Sequence, residues 1–182
     1  MLRTLDRIKA ADEAWLSDPE IFMVNRLDAH SDHMYYEDKD AMYGDEMPLR
    51  QSLNGTWKIN YAVNIEASDR DFYKEDRDAT LYDDIKVPGH MELQGFGRCQ
   101  YINTMYPWEG SEDLRPPHIP REDAPVGCYV RYFDINPELA GKRTFISFQG
   151  VENAFVDFPT REISSIGERD TVCLLYTSPS PR

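Results

Sequence analysis

The clearest alternation of apolar and polar positions is the stretch GTWKINYA, where Trp57, Ile59 and Tyr61 are interleaved with Lys58 and Asn60. A period of two is that of a strand with one buried face, and Asn54–Gly55 ahead of it is a turn signal. Residues 85–87 predict a short second strand, stopped by Pro88 and Gly89. Residues 128–135, CYVRYFDI, are almost wholly apolar, aromatic or β-branched, and residues 144–148 and 151–155 continue that character. Such runs predict central strands of a sandwich. Asn136, Pro137, Gly141 and Lys142 punctuate the first gap and Gly150 the second. Helical periodicity occurs once, through Leu5, Ile8 and Trp15, and stops before Ser17, Asp18 and Pro19. Residues 21–47 lose both periods and read as an extended polar arm that needs another surface to lie on. The pattern predicts an all-β fold, a two-sheet jelly-roll sandwich with an extended N-terminal arm and one short helix.

Between the second and third predicted strands lies a long loop, residues 88–110, PGHMELQGFGRCQYINTMYPWEG. Glycines and prolines break any regular backbone there, while Tyr101, Tyr106 and Trp108 supply rings with which the loop can pack on itself. Rings that stack on sugar C–H faces and amides that bridge hydroxyls make Asn103 and Thr104 candidates for carbohydrate contact. Equally, Asn103 fits a turn-forming role in which its amide satisfies the loop's own backbone, and the three rings fit a loop core. Downstream, RPPHIP at residues 115–120 is too proline-rich for a sheet interior and predicts extended polyproline-like backbone.

Composition narrows the function classes. The 182 residues suffice for one domain with a core, and a net charge of −13 opposes binding to nucleic acid. No run is apolar for long enough to span a bilayer, and the first residues lack the pattern of a secretory signal. Three cysteines, Cys99, Cys128 and Cys173, without CxxC spacing suggest neither a disulfide framework nor a zinc site, so a reducing cytoplasm is expected. The acidic stretch over residues 69–84 reads as a solvated surface insertion.

Three other groups invite chemistry. His30 and His33 with Asp32 suggest a metal site, but a third His or Cys is not near in sequence, and turn duty for Ser31 and Asp32 is the competing reading. His90 and Glu92 flank the start of the long loop as a formal acid and base, a weak pairing without a second carboxylate at glycosidase separation. Trp57 is read as core. From Val156 onward the strand pattern dissolves, and the SPSPR ending reads as adapter-derived or frame-shifted sequence, so residues 156–182 form a non-native tail after an arm at 1–47 and a truncated jelly roll at 48–155.

The pieces DPEIFMVNRLDAHSDH, SLNGTWKINY, DFYKED, IKVPGHMELQGFGRCQYINTMYPWEG, RPPHIP, PVGCYVRYFDI and GKRTFISFQGVENAF, in that order, resemble the amino-terminal region of bacterial β-galactosidases of glycoside hydrolase family 2. The resemblance runs over roughly residues 18–155. It implies a galactose-binding-like jelly-roll domain that precedes immunoglobulin-like domains and a catalytic (β/α)₈ barrel carrying two glutamates. By the same resemblance, the YxNxxYP motif of Tyr101, Asn103, Tyr106 and Pro107 makes Asn103 a ligand for a galactose hydroxyl. Mg and Na ions and a homo-oligomeric state are implied for the complete enzyme, with no cofactor held by this stretch. The sequence departs from the family at Val156, so a second, acidic sugar contact is not carried over.

Two function classes follow. One is an N-terminal piece of a retaining β-galactosidase that hydrolyses terminal non-reducing β-D-galactose, inactive by itself, with a β-galactoside and its own barrel as partners and neither nucleic acid nor membrane. The other is a self-sufficient, non-catalytic carbohydrate-binding module. A detached piece should expose apolar side chains and an unsupported arm, whereas a module should close its own groove.

Overall fold

The computed structural model describes residues 13–21, 24, 26–28, 34–44, 47, 49–74, 76–99, 115, 117–151, 155–159 and 170–177. Among them five strands form one antiparallel sheet: β1 Gly55–Ala62, β2 Asp83–Val87, β3 Val126–Phe133, β4 Phe155–Pro159 and β5 Asp170–Thr177, in the spatial order β2-β1-β3-β5-β4. The all-β class expected from the pattern is what forms. β1 pairs with β2 through Trp57 opposite Ile85, and with β3 through Ile59 opposite Tyr129.

Alternation decides what each strand buries. Trp57 and Ile59 point to one face of β1 and join Ile85, Met91 and Tyr129 in a cluster. The Trp57 indole N–H, which burial would otherwise strand, donates to the Leu53 carbonyl at 2.8 Å. On the opposite face Lys58 reaches Asp84 at 2.7 Å.

β3 is buried differently. Tyr129 faces the cluster just described, while Val126, Cys128 and Val130 face the other side and pack with Phe72 and Ala79. A strand covered on both faces must be apolar nearly throughout, which explains why this segment lacks alternation.

The cover on the second face comes from the acidic stretch, and here the reading as a solvated insertion is corrected. Its charged residues are mostly exposed, but Phe72 is 3% and Ala79 2% exposed. Asp69 ties the stretch together. It accepts hydrogen bonds from the Tyr82 hydroxyl and from Arg77 Nε, the latter at 2.6 Å. Burial works to raise the Asp69 carboxyl, but the bonds from Tyr82, Arg77 and the Asp71 amide outweigh it and hold the group below the usual carboxylate range. Burial, with the bond to Asp69 added, pushes the Tyr82 hydroxyl up to about 12. The pair is thus an ionised acceptor and a protonated donor at neutral pH.

Elsewhere the backbone departs from expectation in identifiable ways. The predicted N-terminal helix lies mostly at residues 1–12, outside the described residues, and Glu13–Ser17 is a 3₁₀ helix that includes Ser17. The arm is not wholly extended: Lys39–Gly44 forms a helix, α1, because Asp38 caps it by accepting from the Ala41 amide at 2.8 Å. RPPHIP contains a turn, with the His118 amide donating to the Arg115 carbonyl at 3.0 Å. Residues 144–148 enter no ladder; of the strand expected at 151–155, residues 152–154 lie outside the described residues and Phe155 belongs to β4.

The strand pattern does not end at Val156. β4 continues to Pro159, and β5 pairs along all eight residues of β3, from Val126 opposite Thr177 to Phe133 opposite Asp170. Without β5 the second edge of β3 would be left with unpaired backbone donors and acceptors, and the segment DTVCLLYT has the β-branched and aromatic residues that such an edge favours.

If the acidic stretch is a cover, Phe72→Ala will lower unfolding free energy by about 3 kcal/mol, the scale for emptying a buried aromatic site. Leu81→Ala, at a side chain 91% exposed, will change it by less than about 0.5 kcal/mol. Denaturant unfolding of both variants checks the contrast.

Candidate functional site

The long loop leaves β2 at Val87 through a cis Val87–Pro88 bond. Its first side chain to return to the protein is Met91, which is 1% exposed and fills the cluster of Trp57, Ile59 and Ile85. A short 3₁₀ helix, Glu92–Gln94, follows and is ended by Gly95 at φ 94°, ψ 6°. The Phe96 amide donates to the Met91 carbonyl at 3.1 Å and the Gly95 amide to that of Glu92 at 3.4 Å. That pair of bonds is a Schellman closure, which requires a left-handed residue where Gly95 stands. Phe96 then packs against Tyr61, with ring centroids 6.4 Å apart.

Gly97 sits under the same tyrosine. Its φ is +84°, and a Cβ there would lie 3.1 Å from the Tyr61 hydroxyl oxygen. That hydroxyl is pushed upward by burial and then by the charges of Asp123 and Glu92, so it stays protonated. Arg98, the next residue, pairs with Asp123 at 2.8 Å.

Gln94 closes the arrangement from the other side. Its Oε1 accepts from the Lys86 amide at 2.8 Å, and its Nε2 donates to the Lys86 carbonyl at 3.0 Å. The side-chain amide thereby takes the place of a neighbouring strand's peptide group on the open edge of β2. Gly89 permits the approach, since a Cβ there would lie 2.7 Å from Gln94 Nε2.

The described part of the loop is therefore a clamped stem, residues 88–99. Asn103, Thr104, Tyr101, Tyr106, Pro107 and Trp108 lie outside the described residues, as do His30, Ser31, Asp32 and His33. His90 is exposed and lends its carbonyl to Gln94, while Glu92 is half-buried beside Tyr61. The two therefore serve the stem. Trp57 is a core residue, 4% exposed. For the Mg and Na ions implied by resemblance, no group of three or more His, Cys, Asp or Glu side chains among the described residues is placed to hold a metal.

Sequence reasoning missed Gln94, Tyr61 and the Arg98–Asp123 pair as parts of this stem. The MELQGF string does carry a helix-end signature, an apolar residue at each end around a glycine. Nothing local announces an ion pair between residues 25 apart.

The two stem glycines separate strain from crowding. Gly95→Ala meets nothing within 4 Å and pays only for the left-handed backbone, roughly 1 kcal/mol. Gly97→Ala pays the same and must also displace Tyr61, so it will cost about 1 kcal/mol more, within the range for overpacking. Thermal melting of the two variants checks the order.

Residues 50–164 match the family described as glycosyl hydrolases family 2, sugar binding domain. The chain is 56% identical over 142 residues to a β-galactosidase of Clostridium acetobutylicum, covering 78% of this chain and 16% of that protein. It is 54% identical over 139 residues to a β-galactosidase of Streptococcus thermophilus, covering 76% of this chain and 14% of the relative. The β-galactosidase large subunit of Leuconostoc lactis is 46% identical over 156 residues, with 79% and 25% covered. This chain thus spans a quarter or less of the length of these relatives. A match over more than half of the chain, together with these identities, makes it a member of the glycosyl hydrolases family 2 sugar-binding domain family.

Proposed function

We propose that this chain is the amino-terminal sugar-binding part of a β-galactosidase that hydrolyses terminal non-reducing β-D-galactose residues in β-D-galactosides. The observation that carries the reading is the family match over residues 50–164, joined to relatives that share the name β-galactosidase. The retaining reaction needs two carboxylates about 5 Å apart, one a nucleophile and one an acid/base. In this reading both belong to a barrel domain outside these residues, and the present chain contributes binding. Asn103 is its contact, donating or accepting through its amide to a galactose hydroxyl. We place the complete enzyme in a reducing cytoplasm on its cysteine usage, and we infer a homo-oligomer using Mg and Na from the resemblance.

The arm supports a part that rests on more protein. Met34, Tyr35, Met42 and Tyr43 are 47%, 65%, 46% and 79% exposed, an apolar display that a self-sufficient module would have covered.

The test grafts the matched residues of this chain into the Clostridium acetobutylicum relative in place of its own. Asn103→Ala in that chimera should lower kcat/KM on a nitrophenyl β-galactoside by roughly tenfold or more, the equivalent of losing one polar contact of about 1–3 kcal/mol, with the melting temperature nearly unchanged. The 182-residue chain alone should show no turnover. Unchanged kinetics with a lowered melting temperature would make Asn103 a loop brace, and turnover by the isolated chain would overturn the division of labour.

A further inference from the structure

We propose that Gln94 is a plug that holds the edge of β2 shut against pairing with a second copy of this chain. In an antiparallel pair the backbone groups of alternate residues turn to opposite sides, so those of Ile85 face β1 while those of Asp84 and Lys86 face outward. Gln94 occupies the outward side at Lys86 with one bond of each sense, accepting from the amide at 2.8 Å and donating to the carbonyl at 3.0 Å. Its Nε2 also donates to the His90 carbonyl at 3.4 Å, which ties the plug to the loop that carries it. Gly89 leaves the room, because a Cβ there would lie 2.7 Å from Gln94 Nε2 and 2.9 Å from the Lys86 carbonyl oxygen.

The edge behind the plug is complementary to itself. Two β2 strands set antiparallel about a two-fold axis centred at Ile85 place Asp84 of each copy opposite Lys86 of the other, and these are the residues whose backbone groups face outward. Such a pair would exchange two backbone hydrogen bonds at each Asp84–Lys86 contact and set opposite charges face to face there. Both side chains are accessible for it: Lys86 is exposed, and Asp84 is 65% exposed although its Oδ1 holds Lys58. What favours the plug is its tether. Gln94 is eight residues from Lys86 in sequence, and a group on so short a loop acts at an effective concentration on the order of millimolar, above that of a second copy in the micromolar range.

Sedimentation velocity of the 182-residue chain over a concentration series, with far-UV circular dichroism as the control for folding, is the test. Gln94→Ala removes the plug, and Gly89→Ala displaces it while leaving the amide in the chain. Water can take up the Lys86 backbone groups that Gln94→Ala releases, so that variant should keep the parental dichroism. Each variant should raise the dimer association constant about tenfold or more, the equivalent of one or two hydrogen bonds gained. Lys86→Glu added to either should return it to the parental value, because the new carboxylate then faces Asp84 of the other copy. Association unchanged by Gln94→Ala and Gly89→Ala, or raised but indifferent to Lys86→Glu, overturns the plug. Loss of the folded dichroism signal in Gln94→Ala overturns it as well, since the amide would then be a brace of the fold.

Discussion

Burial of β3 on both faces is the constraint on which the rest of the structure depends. Val126, Cys128 and Val130 are each at most 2% exposed, and Tyr129 on the other face is 7% exposed. At about 25 cal/mol per Å² of apolar surface, a strand left open on either side would forfeit several kcal/mol, a large share of a domain's net stability. The chain meets this with two unlike covers. One is the cluster beneath β1 and β2, to which the loop stem contributes Met91; the other is the acidic stretch held by Asp69, Tyr82 and Arg77. The loop stem is thus part of the core through Met91.

Side-chain amides recur as surrogates for peptide groups at the margins of this sheet. Gln94 does so on Lys86. Gln51 does the same beyond β3, donating to the Asp134 carbonyl at 2.7 Å and accepting from the Asn136 amide at 2.8 Å. Gln94 satisfies edge backbone of β2, and Gln51 joins the segment ahead of β1 to the one just past β3, each through two bonds of opposite sense.

The strands that were legible in the sequence are those whose pattern is local. β1 could be read from Trp57, Ile59 and Tyr61, and β3 from its unbroken apolar run. Phe72 was not legible as core because seven charged residues stand within five positions of it, and only contact with Val126 and Val130 distinguishes it from a solvated aromatic. The strand expected at residues 144–148 had the right composition and no partner edge, whereas β5, dismissed on its ending, found the open edge of β3. Of the candidate site, the family and the Asn103 motif came from short strings that resemblance reads well. The stem came only from the fold, since Gln94 meets Lys86 and Arg98 meets Asp123 through backbone approaches that no periodicity encodes.

Sheet, acidic cover and loop stem share the burial of β3 and should unfold as one unit, which native-state amide hydrogen exchange reads residue by residue. The amides of Tyr82 in the cover and Phe96 in the stem, which donate to Ala79 and Met91 at 3.1 Å each, should exchange with the same opening free energy as Ile59 and Val130 in the β1–β3 pair. Exchange of Tyr82 and Phe96 at the rate of an open turn, while Ile59 and Val130 remain protected, would mean that cover and stem open independently of the sheet.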